Sequence, residues 1–144
     1  MTPWIVDASV TLNWYLADEA DRQYSISIFQ SISKRQICVP SLWPYEIANV
    51  LLVAHRRGRI PVDRIEQVLE AIAEFEPQIV QFGFDAAKRL GKLALQHQLT
   101  VYDAAYLDLA LRTGFPIATQ DKALVTAMKA THVAHVIPSI TPAN

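Results

Sequence analysis

Apolar residues fall along this chain in two alternating rhythms. Residues 3–7 make a short run, β-branched at Ile5 and Val6, that stops at Asp7-Ala-Ser9, the mark of a buried strand running into a loop. Residues 36–40 repeat the pattern and end at Pro40, which has no N–H to extend a ladder. Residues 78–82, 115–119 and 133–137 read as three further strands, the first of them weaker. Between the strands the spacing changes to three and four. Ile26, Phe29 and Ile32 mark a helix over 18–34, while Ile47, Val50, Leu51 and Ala54 mark one that Ser41 would cap and Gly58 would end. Ile65, Val68, Leu69 and Ile72 follow a start at Pro61 and Asp63, and Ala86, Leu90, Leu93 and Ala94 place another helix over 85–98. Segment 101–113 is apolar around most of its circumference, which predicts a heavily buried helix ended by Gly114, and 122–130 is a short last helix. Strands separated by helices imply an α/β fold, a three-layer α/β/α sandwich around a mostly parallel sheet of four or five strands. With no repeat, low-complexity stretch or linker in view, residues 1–144 read as a single domain.

Composition narrows the chemistry. The chain is 51% hydrophobic, enough for one covered core, and 144 residues leave no room for a second. Charged residues make up 19% and the formal net charge is −1, so any contact with a phosphate polymer must be local. The single cysteine, Cys38, has no partner for a disulfide and sits between Ile37 and Val39, which predicts a buried, inert thiol in a reducing cytoplasm. The apolar start lacks a cationic region and is broken at Asp7, so neither a signal peptide nor a membrane span is expected, and only the proline-containing tail after Ile137 should be loose.

Four acids stand where a parallel sheet gathers its functional groups, beyond the carboxyl ends of strands. Asp7 and Asp121 follow apolar strands, Glu46 opens the helix after the second strand, and Asp103 lies in the first turn of the buried helix. Each also has a structural explanation. Thr100 and Asp103 match a capping box and Asp121 can cap the helix that starts at Lys122. Asp7, at the end of an apolar strand, needs a partner if it is buried, and Glu46 is two positions too late for a capping box with Ser41. Brought together, four carboxylates repel one another, and no Lys or Arg lies within two residues of Asp7, Glu46 or Asp103. A divalent cation answers that, and an all-oxygen set favours Mg²⁺ or Mn²⁺ over zinc. His55, His97, His132 and His135 lack zinc-site spacing. Ser9 and Thr119, each two residues from an acid, are placed to orient a carboxylate or to cap a turn. Asp108 is rotated about 140° from Asp103 on a helix of 3.6 residues per turn and should face away.

In order and spacing these strings resemble the PIN-domain ribonucleases, specifically the VapC-like toxins of bacterial toxin-antitoxin pairs. The carriers are Ile5-Val-Asp7-Ala-Ser9, Pro40 followed by Glu46-Ile-Ala-Asn49, Tyr102-Asp103-Ala-Ala-Tyr106, and Thr119-Gln-Asp121, spread over nearly the whole chain. The resemblance implies that Asp7, Glu46, Asp103 and Asp121 bind the metal, with Asn49 and Thr119 as supporting polar residues. It implies Mg²⁺-dependent endonucleolytic cleavage of RNA leaving a 5′-phosphate, a homodimer, and a VapB-like antitoxin that covers the groove with a basic side chain. Asn13 departs from the lysine many such toxins carry, and Asp108 adds a charge to a face usually apolar. Substrate grip must come from a few cations. Glu46, Asn49, Val53 and Arg57 share one helical line about 16 Å long, ending in His55-Arg56-Arg57-Gly58-Arg59, which is also what a solvated helix end looks like.

Rival readings differ in particular residues. A phosphatase of the haloacid-dehalogenase kind needs a second acid two residues after the first, where this chain has Ser9, and a phosphoacceptor receiver lacks its acidic pair. A catalytically silent PIN-fold protein that only binds partners is the remaining alternative. Trp14, Tyr15, Trp43 and Tyr45 are expected to group into an apolar surface that a partner or the core covers.

Overall fold

The computed structural model describes residues 1–16, 22–32 and 34–138. The expected helix start at Asp18 and the tail from residue 139 onward lie outside them. In chain order the elements are β1 (Trp4–Val6), α1 (Ala8–Asn13), α2 (Arg22–Ile32), β2 (Ile37–Pro40), α3 (Trp43–Arg56), α4 (Val62–Ala73), β3 (Gln78–Val80), α5 (Ala86–His97), α6 (Val101–Thr113), β4 (Ile117–Ala118) and α7 (Lys122–Ala130).

The four strands form one parallel sheet in the order β3-β2-β1-β4, with Ile5 facing Cys38 on one side and Ile117 on the other. Central position explains why β1 reads as an unbroken apolar run, since Ile5 and Val6 are covered on both faces. The chain steps outward from β1 to β3 and then returns to the far side of β1. With right-handed crossovers the outward steps place α1 to α4 over one face and the return places α5 and α6 over the other. The packing agrees: α1 lies against α2 and α3, α3 against α4, and α5 along α6. Reversal of direction makes the carboxyl ends of β1 and β4 the topological switch point, the place where open α/β sheets bind ligands.

Helix α6 is as buried as its composition predicts, with every residue from Ala104 to Ala110 covered and Gly114 closing it in the left-handed conformation at φ 77°. Asp108 is buried and turned away from the Asp103 side, where Arg89 and Arg112 neutralise it at 2.8 and 2.9 Å. Cys38 is fully buried, and burial pushes its thiol pKa up. No described helix is long and apolar enough to cross a membrane.

Four expectations need correction. The loop after β1 is the six-residue helix α1, held by a cap its β-branched sequence does not advertise. Ser41 does not cap α3: Leu42 holds that place, and the Ser41 hydroxyl instead accepts the Phe82 N–H at 3.0 Å, stitching the end of β2 to the segment after β3. Segment 133–137 reaches β4 through one parallel bridge, Ile117 to His135, so it does not make a fifth strand. Trp14 and Tyr15 are in ring contact, with centroids 6.5 Å apart, but Trp43 and Tyr45 do not complete a four-ring cluster with them. Trp14 packs on Phe29 and Phe75, while Trp43 and Tyr45, about 200° apart around α3, point respectively into the protein and out to solvent.

Candidate metal centre

The switch point is assembled around Asp7. Its backbone is extended at the N-cap of α1, so its carboxylate turns back to accept the Val10 N–H at 2.8 Å and the Ser9 hydroxyl at 2.9 Å on Oδ1. The other oxygen, Oδ2, accepts the hydroxyl of Thr119 from the adjacent strand end. Three donors make it tolerable to bury this group to 6% exposure.

Thr119 is in turn held from every side. Its N–H donates to the Tyr24 hydroxyl at 3.2 Å, and its hydroxyl accepts the Asp121 N–H at 3.1 Å. Nε2 of His135 lies 2.7 Å from its carbonyl, so Nε2 carries the proton. Tyr24 also donates to the carbonyl of Val136 at 2.7 Å, tying α2 to the segment beyond α7. His135 therefore works as a brace on the end of β4.

Glu46 and Asp103 come from the first turns of α3 and α6. Oε1 of Glu46 accepts the hydroxyl of Tyr106 at 2.8 Å, and Tyr106 is buried three residues beyond Asp103 on the same face of α6. Asp103 donates its N–H to the Thr100 hydroxyl, and Asp121 caps α7 by accepting the Leu124 N–H at 2.8 Å. The capping explanation of Asp121 thus holds and Asp7 is a cap as well, while at α6 the cap is the Thr100 hydroxyl and not the Asp103 carboxylate. None of this uses up the acids: a carboxylate has about four lone-pair sites.

The electrostatics bind these residues into one unit. Burial raises the pKa of Asp7 first, against three lowering hydrogen bonds, and the charge of Asp121 adds to the rise. Glu46 is raised by burial and by Asp103 and Asp7, with Tyr106 opposing. Asp103 is raised by burial and by Asp121 and Asp7. Like charges at this range favour the entry of protons or of a cation. Among the described residues, no three acidic, histidine or cysteine side chains converge on one point as a ready-made ligand cage. This set fits Mg²⁺ or Mn²⁺ better than zinc: Mg²⁺ retains several waters and takes only one or two carboxylates directly, whereas zinc asks for a closed tetrahedral shell of nitrogen and sulfur.

Two cavities flank Glu46. One, of about 320 Å³, is lined by Ser9, Asn13, Val50 and Arg59, and the other, of about 410 Å³, by Tyr45, Asn49 and Tyr102. Asn49 lies one turn along α3 from Glu46, and Arg56 and Arg57 end that helix exposed to solvent.

Tyr106 has a role the motif strings do not disclose, although its three-residue offset from Asp103 was a usable signal. Should these acids form a metal-dependent catalytic centre, Tyr106→Phe is expected to keep the fold and slow turnover about tenfold, because a group that orients a metal-binding carboxylate carries effects of that order. Initial rates for the two proteins across Mg²⁺ concentrations measure it, and equal rates would show that Glu46 orients itself.

The PIN domain model matches residues 4–128. Ribonuclease VapC3 from Pyrobaculum aerophilum is 33% identical over 121 residues, covering 83% of this chain and 90% of that protein. Crystal structures that share the fold include the following two. VapC20 of Mycobacterium tuberculosis, described as a Sarcin-Ricin loop cleaving toxin, superposes with a TM-score of 0.70 at 15% identity over 94% of this chain and 99% of its own. FitAcB from Neisseria gonorrhoeae does so at 0.64 and 14% identity, over 96% and 99%. The four-stranded parallel sheet, acids at its switch point and a family match over most of the sequence lead to one assignment: this chain belongs to the PIN domain family.

Proposed function

We propose that the protein is a metal-dependent endoribonuclease, the toxin of a toxin-antitoxin pair, acting in the cytoplasm. The observation that carries this reading is that the starts of three helices bring Asp7, Glu46 and Asp103 within electrostatic reach of one another, with Asp7 held by three donors at the switch point. Asp7, Glu46, Asp103 and Asp121 would hold the ion. When bound there, Mg²⁺ or Mn²⁺ supplies positive charge to a scissile phosphate and acidifies a water for in-line attack.

The chain's own residues do the positioning. Ser9, Val10 and Thr119 fix Asp7, Tyr106 fixes Glu46, and caps fix the backbones of Asp103 and Asp121. No side chain serves as a nucleophile. Arg56 and Arg57, exposed at the end of α3, and Arg59, in the cavity beside Glu46, are the cations that would grip the phosphate backbone in this reading. Relatives support the substrate class: VapC3 is named a ribonuclease and VapC20 a Sarcin-Ricin loop cleaving toxin. A VapB-like antitoxin and a second copy of the chain are the partners in this reading. An apolar groove of about 270 Å³ between α3, α4 and β3 offers contact area, and the buried Trp43 Nε1 there has no hydrogen-bond partner.

Incubation of the purified chain with total RNA, in Mg²⁺ and in EDTA, tests the reading. Internal cuts with 5′-phosphate ends are expected only in Mg²⁺. RNA left intact at every Mg²⁺ or Mn²⁺ concentration would instead assign the chain to the silent, partner-binding members of its fold.

A further inference from the structure

Beside Glu46, two aromatic rings stand in solvent. Tyr45 is 76% exposed and Tyr102 61% exposed. They belong to different helices, α3 and α6, and each immediately precedes an acid of the centre, Glu46 and Asp103. Adjacent residues on a helix are about 100° apart, so when the two acids turn toward the switch point their tyrosine neighbours are carried to its rim. Together with Asn49 they line one cavity of about 410 Å³, which is within the size range of small-ligand sites.

The charge around this cavity selects its occupant. No Lys or Arg lines it, so no protein cation is there to hold a phosphate. The neighbouring cavity, which shares Glu46, has Arg59 in its lining. A neutral, flat, aromatic group with hydrogen-bonding edges fits the tyrosine side: the rings offer π-faces and the Asn49 amide offers both a donor and an acceptor.

We propose that the Tyr45–Tyr102 cavity is a base-binding subsite that receives, by stacking, the unpaired nucleobase of a ribonucleotide next to the scissile phosphate. The proposal rests on the nuclease reading above and adds to it the side chains that hold a base, since a base held in a duplex cannot enter the cavity. Stacking tolerates every base, and sequence preference at this position comes from the edge that meets Asn49.

The test compares the full chain with Tyr45→Ala, Tyr102→Ala and the corresponding Phe variants. Binding is read by fluorescence anisotropy in Ca²⁺ with two probes, a short unpaired oligoribonucleotide and a baseless ribose-phosphate oligomer of the same length. Each Ala variant is expected to bind the RNA about tenfold more weakly, while the Phe variants match the parent. All five proteins should bind the baseless oligomer equally. Ala variants that bind RNA like the parent, while the parent cuts RNA in Mg²⁺, would overturn the subsite and leave the nuclease reading standing. A parent that binds RNA but never cuts it would remove both. Equal losses on both probes would assign the rings to a general backbone contact, and variants that lose only binding to an antitoxin peptide would assign them to a protein; either outcome ends the proposal.

Discussion

Asp7→Asn should leave a folded protein whose Mg²⁺-dependent RNA cleavage has fallen by at least about a hundredfold. Asparagine is nearly isosteric, and its carbonyl oxygen can keep the bonds from the Val10 N–H and the Ser9 hydroxyl that cap α1. Its amide nitrogen then faces Thr119, whose hydroxyl changes from donor to acceptor without moving. The negative charge is what disappears. With it goes the most deeply buried of the four acids and the one that joins the electrostatic environment of both Glu46 and Asp103.

The same substitution should hold or raise the thermal midpoint of the metal-free protein. Burial penalises the charged form of Asp7 more than its three hydrogen bonds favour it, so the native carboxylate is a group retained at a cost to stability. Initial rates in Mg²⁺ and midpoints in EDTA, measured on the two proteins side by side, separate the roles. A large drop in midpoint would make Asp7 a structural cap whose loss of activity is secondary. Full activity would remove Asp7 from the chemistry.

Why the acids were legible and their supports were not follows from distance along the chain. Asp7 and Asp121 announce themselves as charges that end apolar runs, and a parallel sheet sends such positions to one edge whatever the register. Glu46 and Asp103 follow from the same rule applied to helix starts. The groups that aim them are another matter. Tyr106 meets Glu46 across 60 positions, Tyr24 meets Thr119 across 95, and Thr119 meets Asp7 across 112. Each pairing exists only once strand order is known, and the order β3-β2-β1-β4 is not written in periodicity. Helix α1 escaped for a different reason. At six residues it is too short to display a 3.6-residue repeat, and it forms because Asp7 caps it and the core receives Val10 and Leu12. The fifth strand was over-read because 133–137 has strand-like composition, yet only its contact at His135 completes a bridge to β4.

The raised carboxylates also fix the sign of the pH dependence of stability. Burial and mutual repulsion lift Asp7, Glu46 and Asp103 above their values in the unfolded chain, so the folded state keeps protons that the unfolded chain has already released. Stability gained from those protons is present at low pH. It is lost as pH rises from the ordinary carboxylate range through the higher folded values, so metal-free protein should melt at a lower temperature above that window than within it. Mg²⁺ takes the place of the protons only where the carboxylates are ionised, so its stabilising effect should be absent below the window and complete above it. At a free Mg²⁺ concentration about a hundred times its dissociation constant, linkage gives about 2.7 kcal/mol, which for a domain of this size raises the midpoint by about 5–10 °C. Melting curves in EDTA and in Mg²⁺ across acidic and neutral pH measure both effects. Other acids titrate over the same range, and the difference between the parent and Asp7→Asn isolates the contribution of the centre: both the decline in EDTA and the gain from Mg²⁺ should shrink in the variant. A parent that gains stability over Asp7→Asn as pH rises in EDTA would mean that Asp7 is held by a protein cation, and a site neutralised in that way would have no use for a metal ion.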